Sequence, residues 1–274
     1  MDLLKSNPKT VFYMVIGASS AKGFEPTGTE GVRGPDESST ENGYVNDLAD
    51  IESDHDVALD IHNLACPGET IEYMSSGGDN CYSTPTTMLA KAQSSLKSLH
   101  NEDGIVTIDL GFNDIRPCLH EFSVGRKCVA DAITTVKKVL PTVLSKLKAA
   151  SGPHVEFVGI PYGDPFLSHY LVGATGPRLA RFTLMAIESL DRALVQVYSN
   201  AHIDVANIVG KFKLRDTALV RRSNGERVPK NVAMACVTTW MCREPPWGPD
   251  DHPNNRGYRM IAQSVFASLR GGEK

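Results

Sequence analysis

Short apolar runs alternate with long amphipathic ones about five times along this chain, and no other feature limits its possible folds as strongly. The short runs are Val11–Ile16, Val57–Leu64, Gly104–Leu110, Val155–Ile160 and Ile203–Ala206. Their length and their β-branched and aromatic content predict strands, the first buried on both faces. Between them lie segments with apolar residues three and four apart, the spacing of one helix face. Thr84–Leu99 aligns Met88, Leu89, Ala92, Leu96 and Leu99, and Val129–Ala150 aligns Ile133, Val136, Leu140, Leu144 and Leu147. Gly176–Ser199 places Leu179, Phe182, Met185, Ile187, Leu190 and Leu194 inside, and Asn255–Leu269 does so with Tyr258, Ile261, Val265 and Leu269. Asn42–Ile51 gives a shorter helix. Pro141, inside the second of the long segments, predicts a kink or an interruption. Such alternation yields a central, mostly parallel five-stranded sheet with helices on both faces, a three-layer α/β/α sandwich. With 274 residues and 41% hydrophobic content the chain can bury one large core, so a single domain is expected over residues 1–274. Glu25–Glu41, rich in Gly, Pro, Thr and Ser, reads as a loop over the ligand side. Leu214–Trp247 has no clear period and reads as a folded excursion.

Charge and cysteine usage narrow the setting. The net charge is −4 and no basic block of five or more residues occurs, which argues against a nucleic-acid partner. No apolar run approaches the ~20 residues that span a bilayer, so no transmembrane segment is expected. The six cysteines, Cys66, Cys81, Cys118, Cys128, Cys236 and Cys242, fall as three pairs of near neighbours without a CxxC. That argues against a zinc site and suggests the disulfides Cys66–Cys81, Cys118–Cys128 and Cys236–Cys242, out of fifteen possible connectivities; six buried free thiols are the alternative. Bridges persist in oxidising compartments. Met1–Lys5 does not open an apolar export signal. The expectation is therefore a mature protein that is secreted or in the cell envelope, a monomer, whose export signal was removed or never included.

In an open α/β sheet, ligands sit beyond the carboxyl ends of the strands. Gly17-Ala18-Ser19-Ser20, Asn63 to Gly68 and Gly111-Phe112-Asn113-Asp114 all fall there, and Asp250-Asp251-His252-Pro253 needs only a loop to join them. Acyl transfer requires a nucleophile, a base in contact with it and donors aimed at the oxygen that becomes negative. Ser19 suits the first role and His252 the second. The Ser19 and Gly68 N–H groups and the Asn113 amide suit the third. The plainer readings are a helix cap for Ser19 and Asn113, a turn glycine for Gly68 and a surface histidine for His252. The other histidines have no metal-ligand spacing, and no metal is expected. Trp240 and Trp247 suit either an acyl pocket or packing under the last cysteine loop.

Taken in order, these segments resemble the conserved blocks of the SGNH (GDSL-type) hydrolase superfamily. Ile16 to Phe24 is similar to the nucleophile block, set within residues 10–24. Asn63 to Thr70 is similar to the block with the oxyanion glycine, Ile108 to Asp114 to the G-x-N-D block, and Asp250 to Tyr258 to the histidine block. The likeness spans about Val11 to Ile261, and the cysteine positions resemble a secreted actinobacterial branch braced by three local disulfides. The resemblance implies a flavodoxin-like α/β fold and an esterase or lipase acting on a small-molecule or lipid ester. It implies Ser19 and His252 as the catalytic pair, Ser19, Gly68 and Asn113 as the oxyanion hole, and no cofactor. Two positions depart from the family pattern. Ala18 stands where an Asp is usual, which should alter the turn's hydrogen bonds more than the chemistry. Pro249 stands three residues before the histidine, where the orienting acid is usual, so Asp250 is the best substitute, with Asp251 or a backbone carbonyl as alternatives. An acyltransferase or de-acetylase of cell-envelope glycan or lipid would use the same residues, and Ala18 leaves room for a non-catalytic binding protein on the same fold.

Overall fold

In the computed structural model, which describes residues 8–31, 34–78, 81–82, 86–119, 122–222 and 224–271, the sheet is built on the first apolar run. β1 (Lys9–Gly17) is followed by an antiparallel hairpin, β2 (Phe24–Gly31) and β3 (Gly34–Ser39), then α1 (Tyr44–Ser53) and β4 (Val57–Asn63). Next come α2 (Ile71–Ser76), α3 (Met88–Ser98), β5 (Gly104–Asp109), α4 (Phe112–Ile115), α5 (Phe122–Ala150), β6 (Val155–Gly159) and α6 (Gly176–Asn200). The chain closes with β7 (Asp204–Val205), α7 (Ile208–Lys211), the hairpin β8 (Leu219–Arg221) and β9 (Arg227–Pro229), α8 (Lys230–Thr238) and α9 (Asn255–Leu269). The main sheet runs β4-β1-β5-β6-β7 with every pairing parallel.

Successive side chains of a strand point to opposite faces, and β1 uses both. Phe12, Met14 and Ile16 join one core cluster, with Leu96 of α3, Leu144 of α5 and Leu190 of α6. Val11, Tyr13 and Val15 join the other, with Leu48 of α1 and Val265 of α9. Each large side chain so buried contributes about 1.5–3 kcal/mol. The strand order reverses direction on either side of β1, so its carboxyl end opens on the crevice where ligands bind in such sheets. Gly17 and Asp109, partners at the ends of β1 and β5, mark that crevice.

Several helix and strand expectations needed correction. The segment expected to be a loop, Glu25–Glu41, contains the β2–β3 hairpin. Its glycines and prolines obscure any period, and the register shifts between Pro26 and Glu30. Pro141 does not interrupt α5, which runs unbroken to Ala150; Val136, Leu140, Leu144 and Leu147, buried on both sides of it, outweigh the one lost backbone bond. Met185 is 56% exposed, because the buried stripe of α6 runs through Phe182, Ala186 and Leu190 instead. Residues 83–85 lie outside the described segments; α3 begins at Met88 with Thr87 as its cap, whose Oγ1 accepts from the Ala90 N–H at 3.1 Å. Leu214–Trp247 holds β8, β9 and α8, each too short for its period to show. The three expected cysteine pairs are all bonded. Among the described residues, no helix is long and apolar enough to cross a membrane.

Candidate active site

β1 ends at Gly17, and the chain then turns through Ala18–Gly23. The turn is held by backbone bonds, Ala21 N–H to Ala18 O and Lys22 N–H to Ser19 O, and by the Asn63 amide donating to Ala21 O at 2.7 Å. It therefore stands without a carboxylate at position 18. Ser19 occupies the N-cap position of the short 3-10 turn that follows, yet its side chain makes no capping bond. Its Oγ lies 2.8 Å from His252 Nε2.

His252 is held from the opposite side. Its Nδ1 is 3.2 Å from Asp250 Oδ1, which also accepts the His252 backbone N–H at 3.0 Å. With Nδ1–H donating to Asp250, Nε2 is left to accept the Ser19 O–H. Burial alone would lower the His252 pKa; the Asp250 hydrogen bond and the charges of Asp250, Asp251 and Glu37 outweigh it and hold the group above its ordinary value. Burial would raise Asp250, but hydrogen bonds from His252 and Glu37 hold it below the usual carboxylate range. Asp251 faces elsewhere: Arg116 grips it bidentately, Nε at 2.6 Å and Nη2 at 3.2 Å. Its carboxylate is 4.0 Å from Nδ1.

The donors expected for an oxyanion sit beside this pair. Gly68 has φ +81°, a left-handed conformation that favours glycine. Cys66 N–H bonds Gly17 O at 3.0 Å, and the bridge to Cys81 holds the same loop from its far side. Gly111, with φ +127°, turns the chain out of β5 into α4. Asn113 Nδ2 donates one hydrogen to Glu69 O at 3.1 Å, and an amide nitrogen carries a second. Asp114 does not bond only within its own turn: its Oδ2 accepts from the Ile71 N–H at 3.2 Å and fixes the start of α2. Among the described residues, the Ser19 and Gly68 N–H groups have no intramolecular acceptor.

Ser19, Gly68, Asn113 and His252 line one cleft of about 140 Å³, floored by Asp109 and Tyr162. A mainly apolar cavity of about 80 Å³ adjoins it through Ser20, Phe112 and Tyr162, with Ile160, Phe212 and Leu214 on its far walls. Trp240 and Trp247 line neither space. They stack on each other at 6.1 Å, and Trp247 fills the position that a Cβ on Gly28 would need. Trp247 thus packs on the hairpin at Gly28 while remaining 46% exposed. One grouping of three described residues brings possible metal-ligand atoms together, Glu37, Asp250 and His252, within 4.8 Å of one another. The Nδ1 that faces the two acids carries the proton donated to Asp250, so the trio forms an orienting shell around the imidazole.

No family model matches the chain, and no curated protein matches it in sequence. Solved structures do match. An extracellular lipase from Streptomyces rimosus aligns with a TM-score of 0.61 and 13% identity, over 94% of this chain and 99% of that one. A candidate GDSL-like lipase from Parabacteroides merdae aligns at 0.53 and 14%, over 97% and 98%. The fold is that of the SGNH (GDSL-type) hydrolases. A phospholipase A1 from Streptomyces albidoflavus shares it, at 0.54 and 17% over 94% and 99%.

Against this SGNH fold, three residues near the site were missed by reading the sequence. Glu37, on β3, comes within 3.6 Å of His252 Nδ1. Phe24 places its ring 5.8 Å from the His252 ring. Arg116 anchors Asp251. A hairpin read as a loop hides Glu37, while Phe24 and Arg116 meet partners 228 and 135 residues away in the chain, which leaves no local signal for either.

Proposed function

We propose that this protein is a secreted serine hydrolase that cleaves carboxylic esters through an acyl-enzyme. The observation that carries this reading is the unbroken chain Ser19 Oγ–His252 Nε2–His252 Nδ1–Asp250, with contacts of 2.8 and 3.2 Å. It is the order of groups that nucleophilic catalysis by serine requires. Ser19 Oγ attacks the ester carbonyl carbon while its proton passes to His252 Nε2. The carbonyl oxygen becomes an oxyanion within reach of the Ser19 and Gly68 N–H groups and the second Asn113 hydrogen. The C–O bond to the leaving alcohol breaks as His252 returns the proton to that oxygen, leaving Ser19 acylated. Water, deprotonated by His252, then repeats the sequence and releases the acid. Asp250 holds the imidazole in the required tautomer and offsets its charge when it is protonated. The adjoining cavity offers an apolar acyl group a walled space. The lipase and phospholipase activities named for proteins of the same fold support an ester substrate, and three disulfides support work outside a reducing compartment.

Steady-state hydrolysis of p-nitrophenyl acetate, butyrate and octanoate by the wild type and by Ser19→Ala tests the reading. The expected result is turnover of at least one ester and a loss of about 10³-fold or more in the variant. Equal rates for the two proteins would overturn it.

A further inference from the structure

His252 Nδ1 faces two carboxyl groups, one from its own loop and one from the hairpin. Asp250 Oδ1 is 3.2 Å away and Glu37 Oε2 is 3.6 Å away. The Glu37 and Asp250 carboxyls also approach each other, one oxygen of each lying with a His252 ring nitrogen in a cluster no more than 4.8 Å across. An ionised carboxylate can only accept, so a bond between two carboxyls requires a proton on one of them. Asp250 already accepts from the His252 backbone N–H and from Nδ1–H, and its side chain is 3% exposed against 31% for Glu37. The arrangement that satisfies every group has neutral Glu37 donating its O–H to ionised Asp250.

We propose that Glu37 is a positioning residue, which latches the β2–β3 hairpin onto the Asp250–His252 pair through this donated hydrogen bond and sets the charge that His252 feels. The proposal rests on the serine-hydrolase reading of the site. Partial burial and the bond to Asp250 push the Glu37 pKa up to about 7. The latch is therefore closed at and below neutral pH, and it opens above. Once Glu37 ionises, Glu37 and Asp250 face each other as two anions, and the second negative charge holds the His252 proton more firmly. The remaining charged and titratable groups facing Glu37 are Asp251 and Arg116, which pair with each other, and Tyr258, whose hydroxyl is committed to Phe24 O at 2.7 Å.

Glu37→Gln keeps an N–H donor for Asp250 and cannot ionise, whereas Glu37→Ala loses both properties. The His252 imidazole is titrated by NMR in the intact wild type and in both variants, and kcat/KM is measured against pH. In the wild type the two groups titrate together. In Glu37→Gln, His252 should titrate in a single step about half to one pH unit lower, and the acid limb of kcat/KM should move with it. Glu37→Ala should show the same lowered midpoint but a kcat about 10-fold lower than that of Glu37→Gln. An unchanged His252 midpoint in Glu37→Gln would overturn the charge role, and equal kcat in the two variants would overturn the donor role. The NMR titration needs no substrate. A wild type that cleaves no ester would therefore count against the hydrolase reading alone, with the proton sharing still decided by the imidazole shifts.

Discussion

Among the described residues, the Ser19 hydroxyl has one close side-chain partner, and that partner is a histidine whose other nitrogen is fixed by an acid. Each residue in this chain of contacts makes a separate prediction. His252 is held above its ordinary pKa, so kcat/KM should rise with pH along an acid limb centred above about 6.5. A profile flat down to pH 4 would remove His252 from the mechanism. Asp250→Asn can no longer accept from both His252 donors as an anion; kcat should fall about 100-fold or more, and the acid limb should move to lower pH. Asn113→Ala removes one of the proposed oxyanion donors and should lower kcat about 100-fold with little change in KM. Because Asn113 Nδ2 also holds Glu69 O, a lowered melting temperature would show that the amide serves the loop as well.

The elements around the site differ in how far the sequence disclosed them. β1 and β5 were legible as short, near-continuous apolar runs and α9 by its strong apolar period, falling on the expected Asn255–Leu269. The β2–β3 hairpin was not: its strands carry Gly28, Pro26 and Pro35 in place of an alternating apolar row, and Trp247 supplies the packing from far along the chain. Reading that stretch as a loop placed it correctly over the site but concealed Glu37. The disulfides were legible from spacing, and the structure adds what one of them does. Cys66–Cys81 braces the loop that carries Gly68, and Cys66 is fully buried. Replacing both cysteines by serine should cost about 3 kcal/mol for a loop of this size, or about 6–12 °C in Tm. Differential scanning calorimetry of the double variant measures it, and an unchanged Tm would contradict the bracing role.

At the scale of the whole molecule, the sheet order brings sequence-distant blocks to the single crevice beside β1, which the five-fold alternation had already implied. What the alternation could not disclose is the set of carboxyls buried beneath that crevice, since each depends on which strand end or helix face meets another. Burial pushes Asp109 up to about 6, Asp164 to about 7 and Asp191 to about 8. All three bind a proton more tightly in the folded chain than in the unfolded one, where carboxyls titrate near ~4. Their stabilising contribution is thus complete below about pH 4 and is lost as pH rises through 6 to 8. Asp191 accepts the Tyr162 N–H through Oδ1 at 2.9 Å, while its buried Oδ2 has no hydrogen-bond partner among the described residues. Asp191→Asn keeps that acceptor and cannot ionise, so its Tm should fall less between pH 6 and 9 than the wild-type Tm does. Parallel curves would contradict this assignment. The central claim is that Ser19 is an activated nucleophile, and intact-mass spectrometry after fluorophosphonate treatment tests it most directly. One adduct on the wild type and none on Ser19→Ala is the predicted result. An unlabelled wild type, or equal labelling of both proteins, would contradict it.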